Sequence, residues 1–194
     1  MARIEPSSVF AAAPISDLGR GDRISLGVAA IMARVPGLAE AVGGVMAALR
    51  PAGALTPRMM ELVRLRIAFH NQCRSCMAVR YQSAIDDGLT EQAVCSLERP
   101  AEADDLSQAE RAALDFADRF ATDHLRIDDA VYDELRQHFS EDELVQLGVQ
   151  CAMFVGIGRI AATWNVLEDV PDELRTGAAG SVTPWMIPGE VASG

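Results

Sequence analysis

Two cysteines, Cys73 and Cys76, are separated by two residues within residues 61–88, the stretch of the chain that concentrates side chains able to do covalent chemistry. Residues three apart share one face of a helix, so a helix that begins near Cys73 can bring both thiols together to form a disulfide. The free N–H groups and the positive dipole end of that helix favour thiolate over thiol and lower a cysteine pKa from its usual value of about 8.5. The spacing therefore predicts a nucleophilic thiol at neutral pH.

The sequence around the pair predicts a helix that runs from Cys73 to Asp87. No Pro or Gly interrupts this stretch, and Gly88 suits the position just after a helix end. Upstream, Thr56 followed by Pro57 is a helix-start signal. The helix predicted from there to about residue 71 is apolar over much of its circumference, which is typical of a central helix.

The remaining helices are predicted from apolar spacing and capping patterns. Apolar spacing or start signals predict helices at residues 24–34, 38–50, 89–97 and 129–139. Two capping boxes, Ser107 with Glu110 and Ser140 with Glu143, start two more, the second a long helix that reaches Trp164. No alternating strand pattern and no Gly-rich phosphate loop stands out. We expect an all-α protein of roughly seven to eight helices.

Length and charge limit the possible partners. The 194 residues suffice for one domain, which we place at residues 24–170, with an N-terminal arm at 1–23 and a C-terminal tail or oligomer arm at 171–194. The net charge of −11 would repel nucleic acid and anionic membranes. The longest uncharged run, 144–158, is too short to cross a bilayer and predicts a buried helix. Because no secretory signal is evident, we expect a cytoplasmic protein.

The other cysteines and the histidines do not suggest a metal site. Cys95 and Cys151 are isolated, and we expect both to be small core residues. One Cys-x-x-Cys can form half of a tetrahedral zinc site, but the histidines that would complete it are scattered at His70, His124 and His138. The sequence therefore predicts no metal and no cofactor.

Residues 61–88 resemble the alkyl hydroperoxidase D-like, or carboxymuconolactone decarboxylase, superfamily. Its redox members carry Glu, eleven residues, Cys-x-x-Cys, three residues and His, and Glu61, Cys73 and Cys76 fit this spacing. The last position is Arg80 instead of His. The resemblance extends weakly over residues 25–168 and implies the AhpD-like helical bundle of that superfamily.

The resemblance implies a thiol-dependent hydroperoxidase or disulfide oxidoreductase with an antioxidant role. In it, Cys76 attacks a hydroperoxide oxygen to give a sulfenic acid, and Cys73 resolves this acid to a disulfide. A thiol reductant must then restore the pair, and family members work as trimers or hexamers. Two alternatives stay open: a decarboxylase-like enzyme that acts on a small carboxylate or lactone, with Arg80 as a carboxylate ligand, and a catalytically silent helical oligomer.

The proton relay of the redox members needs a replacement here, because a guanidinium stays charged and cannot shuttle protons. We expect Arg80 to pair with Glu61 or to stabilise a thiolate. His70 is the nearest substitute relay, but on one continuous helix it lies about 180° from Glu61. It can act only if the helix breaks first; otherwise it is a helix-end side chain bonded to a carbonyl. In the redox members the His relays protons between a Glu and the attacking thiol, and the resemblance implies this role for Glu61. The alternative for Glu61 is a solvated carboxylate or one paired with a nearby arginine: Arg58, Arg64 or Arg66.

Overall fold

The computed structural model describes residues 2–7, 27–49 and 55–166. Within these ranges, the regular secondary structure consists of helices. In chain order they are α1 (27–32), α2 (Leu38–Leu49), α3 (Pro57–His70), α4 (Arg74–Ala78), α5 (Gln82–Asp86), α6 (Glu91–Ser96), α7 (Gln108–Thr122), α8 (Asp129–Leu135) and α9 (Glu141–Trp164). Short 3-10 turns lie at Pro100–Glu102 and His124–Arg126. The predicted all-α class is confirmed. Residues 8–23 of the predicted arm and the tail at 171–194 lie outside the described ranges.

Helix α3 is the centre of the fold, as its apolar circumference predicts. It packs against α7, α9, α4 and α5. Val63 and Ile67 contribute to the core shared with α7 and α9, and Leu62 and Leu65 contribute to a second core with residues of α5 and α6. All four side chains are completely buried. A helix that is apolar over much of its circumference must bury several of its faces, and this requirement places α3 in the middle.

The predicted helix starts are confirmed by their hydrogen bonds. The hydroxyl of Thr56 accepts the backbone N–H of Met59, with Pro57 in the first turn of α3. Both capping boxes form in full: the Ser hydroxyl accepts the N–H of the Glu, and that Glu side chain accepts the N–H of the Ser, at Ser107–Glu110 and at Ser140–Glu143.

Helix α9 is the core helix that the uncharged run at 144–158 predicts. By length and composition α9 could cross a membrane, but here it packs on α3, with Leu147 and Cys151 buried in their shared core. Its buried Gln150 donates a hydrogen bond to the carbonyl of Met60, at 2.9 Å. Gln146 accepts the N–H of Leu55, at 3.0 Å. These two hydrogen bonds hold α9 against the start of α3.

The glycines of α9 differ in their surroundings. A β-carbon at Gly158 would overlap the side-chain amide nitrogen of Asn71, the residue after α3. That amide donates to the carbonyl of Phe154, at 2.9 Å. Gly148 and Gly156 have nothing within 4 Å of the position a β-carbon would take. Gly158 thus allows the end of α3 to approach α9 closely.

Candidate active site beside Cys76

The helix predicted from Cys73 to Asp87 is interrupted. Helix α4 ends at Ala78, Val79 and Tyr81 have extended backbone (ψ 140° and 131°), and α5 begins at Gln82. The single-helix prediction was wrong here because the local sequence contains no helix breaker. The break is stabilised instead by side chains that satisfy the carbonyls left free where α4 ends.

Two arginines supply those hydrogen bonds. Arg64, from α3, donates to the carbonyl oxygens of Cys76 at 2.6 Å and Val79 at 2.8 Å. Arg80 donates to the carbonyl oxygens of Met77 at 2.7 Å and Val79 at 3.0 Å. Guanidinium groups have several donors in a fixed geometry, so each can serve more than one carbonyl. The position of α4 is therefore set by α3.

Cys73 and Cys76 form a disulfide across α4, with their α-carbons 5.2 Å apart. Cys73 is the N-cap of α4, and its sulfur accepts the N–H of Cys76 at 3.4 Å. Cys73 is only 1% exposed, whereas Cys76 is half-buried. The two sulfurs thus differ in access to small molecules, with Cys76 the more accessible.

Cys76 lies in the wall of a cavity of about 320 Å³. This volume is at the lower end of the range of about 300–1,000 Å³ found for small-molecule sites. The polar members of the lining are Cys76, Arg64, Asn71 and Tyr81. The rest of the lining is apolar or glycine: Val28, Ala29, Met32, Ala39, Val42, Gly43, Met46, Ala47, Ala68, Val79, Phe154, Ile157, Gly158 and Ala161. The cavity suits a small and mostly apolar molecule bound next to Cys76.

Glu61 and Arg64 form a buried ion pair next to α4. Arg64 donates to both carboxylate oxygens of Glu61, at 2.6 and 2.7 Å, and the N–H of Tyr81 donates to one of them, at 3.3 Å. Burial alone lowers the pKa of Arg64, but the charge and hydrogen bonds of Glu61, with a smaller contribution from Tyr81, raise it above its usual value. The expected alternative that Glu61 pairs with a nearby arginine is confirmed for Arg64.

Arg80 does not pair with Glu61, so that expectation was wrong. Its side chain is 3% exposed overall and pairs with Glu91 of α6, at 3.0 Å. It is not among the residues that line the cavity. With its donors directed at Met77, Val79 and Glu91, Arg80 acts in the structure as a bridge between the end of α4 and α6.

His70 does not reach the cysteine pair either. Helix α3 continues without a break to His70, which places the imidazole on the side of α7, where its Nε2 lies 2.7 Å from the carboxylate of Asp118. Its predicted partner was a carbonyl, and the partner found is a carboxylate. Arg66 also donates to Asp118, at 2.6 Å. Burial raises the pKa of Asp118, but the hydrogen bonds and charges of His70 and Arg66 bring it below the usual range.

The two remaining cysteines have opposite environments. Cys151 is completely buried, as predicted, and burial raises the pKa of its thiol to about 12. Cys95 is exposed on α6, so the prediction of a core position was wrong there. In the described part of the chain, no three His, Cys, Asp or Glu side chains converge as metal ligands.

The sequence patterns did not identify two residues of the site, Arg64 and Tyr81, as parts of the cavity wall. Arg64 was considered only as a possible partner of Glu61, although its position three residues later on the same helix face was the signal that pointed to the pair. Tyr81 was missed completely. Its place in the cavity wall depends on the break between α4 and α5, for which the local sequence gives no signal.

The fold and the site define an all-α protein with a Cys-x-x-Cys disulfide in the wall of an apolar cavity. The family model for the carboxymuconolactone decarboxylase family matches residues 25–119. Together with the similar structures described below, this match supports the alkyl hydroperoxidase D-like, or carboxymuconolactone decarboxylase, superfamily as the family of this chain.

Sequence relatives cover part of the chain. The uncharacterised protein Rv2313c of Mycobacterium tuberculosis is 39% identical over 111 residues, which are 56% of this chain and 38% of the relative. The uncharacterised protein YdfG of Bacillus subtilis is 31% identical over 88 residues, which are 45% of this chain and 60% of YdfG. The chain thus spans less than two thirds of the length of each of these relatives.

Solved structures share the fold over more of the chain. A protein of unknown function from Agrobacterium tumefaciens, provisionally assigned to antioxidant defence as AhpD, aligns with a TM-score of 0.61 and 27% identity over 68% of this chain and 90% of that one. A variant of the debrominase Bmp8 in complex with 2,3,4-tribromopyrrole aligns with a TM-score of 0.64 and 20% identity over 92% and 97% of the two chains. At that identity, the second likeness shows the fold alone.

Proposed function

We propose that this protein is a thiol-dependent oxidoreductase that reduces a small, mostly apolar organic hydroperoxide with Cys76 and Cys73. The observation that carries the proposal is the position of Cys76 in the wall of the apolar cavity, bonded to a Cys73 that is buried behind it. An attacking thiol needs access to its substrate, and a resolving thiol needs only to reach the first sulfur. This supports Cys76 as the nucleophile and Cys73 as the resolving cysteine.

The charges around the cavity argue against the alternative of a carboxylate substrate. Arg64 is the cation in the described lining, and Glu61 already neutralises it. Arg80, the candidate carboxylate ligand, is buried in contacts with Glu91 and backbone carbonyls outside the lining. A carboxylate in this cavity would lose its hydration without gaining an unpaired cation, which is unfavourable.

The reaction proceeds in three balanced steps. The Cys76 thiolate attacks the terminal oxygen of the hydroperoxide, the O–O bond breaks, and the alkoxide leaves and takes up a proton to become an alcohol. Cys76 is then a sulfenic acid, which Cys73 attacks, forming the disulfide and releasing water. An external dithiol returns two electrons and two protons to the disulfide by exchange. Glu61 takes part only by positioning Arg64 and Tyr81.

The experiment that tests this function is a single-turnover reaction of the reduced protein with cumene hydroperoxide, followed by mass spectrometry. We expect wild type to form the Cys73–Cys76 disulfide, Cys73→Ser to accumulate a sulfenic acid at Cys76 that dimedone traps, and Cys76→Ser to show neither. Cys95→Ser is the matched control and should behave as wild type, because Cys95 lies outside the cavity lining. If Cys76 stays reduced under conditions in which free dithiothreitol is oxidised, the proposal is wrong.

We also propose that the protein acts in the cytoplasm as a trimer or hexamer. Val145 and Val149 of α9 are large apolar residues that are 66% and 40% exposed in the single chain. Analytical ultracentrifugation tests the assembly: a purely monomeric sedimentation profile at micromolar concentration would contradict it.

A further inference from the structure

The breaking O–O bond leaves an alkoxide that needs a proton, and the usual residue for this is missing. Arg80 takes the place of the relay histidine and does not line the cavity, and His70 faces α7. The polar side chains in the described lining are Cys76, Arg64, Asn71 and Tyr81. Cys76 is the nucleophile, a guanidinium does not give up its proton, and an amide is not an acid. Tyr81 is the member of this set with an O–H to donate.

The hydroxyl of Tyr81 has no competing partner in the described residues. Within the described ranges, the hydrogen bonds of Tyr81 are made by its backbone: its N–H donates to Glu61, and its carbonyl accepts from the N–H groups of Ala84 and Ile85. Half-buried tyrosines normally engage their hydroxyl. Tyr81 and Cys76 line the same cavity, so an unpaired hydroxyl on Tyr81 is available to a molecule bound there.

We propose that Tyr81 is the proton donor of this enzyme, delivering the proton of its hydroxyl to the alkoxide that leaves when Cys76 attacks a hydroperoxide. This inference rests on the function proposed above. The O–H bond of Tyr81 breaks as the O–H bond of the product alcohol forms, which leaves a tyrosinate. The tyrosinate recovers a proton from water after the alcohol departs. Tyr81, next to position 80 in the break between α4 and α5, thus takes over the role of the missing histidine.

Arg64 lies against the ring of Tyr81. Its guanidinium carbon is 5.1 Å from the centre of that ring. A cation over an aromatic face is attracted to the ring. This contact, together with the hydrogen bond from the Tyr81 N–H to Glu61, holds Tyr81 in the cavity wall.

The test compares two oxidants that differ in their need for a proton. Cumene hydroperoxide releases an alkoxide, whereas peroxybenzoic acid, an apolar aromatic of similar size, releases a stable carboxylate. In Tyr81→Phe, which keeps the ring beside Arg64, we expect the rate constant for Cys76 oxidation by cumene hydroperoxide to fall about 100-fold. With peroxybenzoic acid it should stay within about twofold of wild type. Rapid quench and mass spectrometry measure both rate constants.

The chain offers a matched control. Tyr132 is the second of its two tyrosines and also lies under an arginine, with Arg136 5.7 Å from its ring centre, but it is outside the cavity lining. Tyr132→Phe should leave both rate constants unchanged. An equal loss with both oxidants in Tyr81→Phe would show that Tyr81 only shapes the cavity. No loss with either oxidant would show that Tyr81 takes no part in the reaction. Each of these results overturns the role of Tyr81 but not the proposed function. Failure of wild type to react with either oxidant would instead overturn the proposed function.

Discussion

Arg64 donates a hydrogen bond to the carbonyl oxygen of Cys76, with a nitrogen–oxygen distance of 2.6 Å, while Glu61 binds the other edge of the same guanidinium. A side chain of the central helix thus fixes the short helix that carries the cysteine pair. The glutamate that the family resemblance assigns to a proton relay serves here to orient this arginine.

Removing the charge of Glu61 should destabilise the protein strongly. Glu61→Gln leaves Arg64 buried without a counter-ion, which costs about 3–5 kcal/mol in the free energy of unfolding. Urea denaturation at neutral pH measures the change. The control is Glu102→Gln in the exposed Arg99–Glu102 pair, whose side chains are 75% and 70% exposed; it should change stability by less than about 1 kcal/mol. Equal effects of the two substitutions would contradict the assigned role of Glu61.

Restoring the family histidine should not restore a relay. Arg80→His removes hydrogen bonds to Met77, Val79 and Glu91. We expect a loss of about 2 kcal/mol of stability and no increase in the rate of Cys76 oxidation by cumene hydroperoxide, since position 80 is outside the cavity lining. Denaturation and single-turnover kinetics measure the two effects. A faster reaction in this variant would show that Arg80 blocks the chemistry, contrary to its position.

The four cysteines should react with iodoacetamide in an order set by exposure. In the oxidised native protein we expect label only at Cys95, and after mild reduction also at Cys76, the more accessible of the pair. Cys73 is almost fully buried and Cys151 has a pKa of about 12, so both should react only after denaturation. Peptide mapping by mass spectrometry gives the order. Early labelling of Cys151 would show that the α3–α9 core opens under native conditions.

The fold was predictable because its determinants are local. Thr56 with Pro57 and the Ser107–Glu110 pair each contain a complete capping pattern within four residues, and both helices start where those patterns place them. The Cys73–Cys76 disulfide was predictable for the same reason, since a Cys-x-x-Cys is a local motif.

The cavity and the partners of the charged residues were not predictable from local patterns. Tyr81 enters the site because carbonyls near it bond to Arg64, more than a dozen residues upstream, instead of continuing a helix. Arg80 pairs with Glu91 rather than Glu61 because of how α6 packs, which no short-range spacing encodes. These pairings depend on which residues lie close together in three dimensions, and a single sequence does not show this.

The Asp118 cluster should make stability depend on acid pH. The pKa of Asp118 in the folded protein lies below its unfolded value of 3.8. The stabilisation that the Asp118 carboxylate gives is therefore fully present above pH 3.8 and is lost as pH falls through the folded pKa. Asp118→Asn should therefore cost about 2 kcal/mol at neutral pH, and its difference from wild type should shrink below pH 3.8. Urea denaturation across this pH range measures both. Asp115→Asn, at an exposed position of the same helix, is the control; a pH-independent loss in Asp118→Asn would contradict the charge effect.

Two glycines of α9 should respond oppositely to alanine. Gly158→Ala places a methyl group against Asn71 and should cost about 1–3 kcal/mol. Gly156→Ala meets nothing within 4 Å and should stabilise the helix by about 0.5–1 kcal/mol. Thermal and urea denaturation of both variants give the signs. Stabilisation by Gly158→Ala would show that Asn71 is not confined between α3 and α9.

The break between α4 and α5 has a consequence for how the protein folds. A helix of five residues does not persist in water by itself, and the carbonyls at the end of α4 are satisfied by Arg64 of α3 and by Arg80 in the break that follows α4. We therefore expect α3 with its long partners to form first and α4 to join it afterwards. The geometry of the cysteine pair depends on a core that is already assembled, so we expect a nascent or partly folded molecule to lack this geometry.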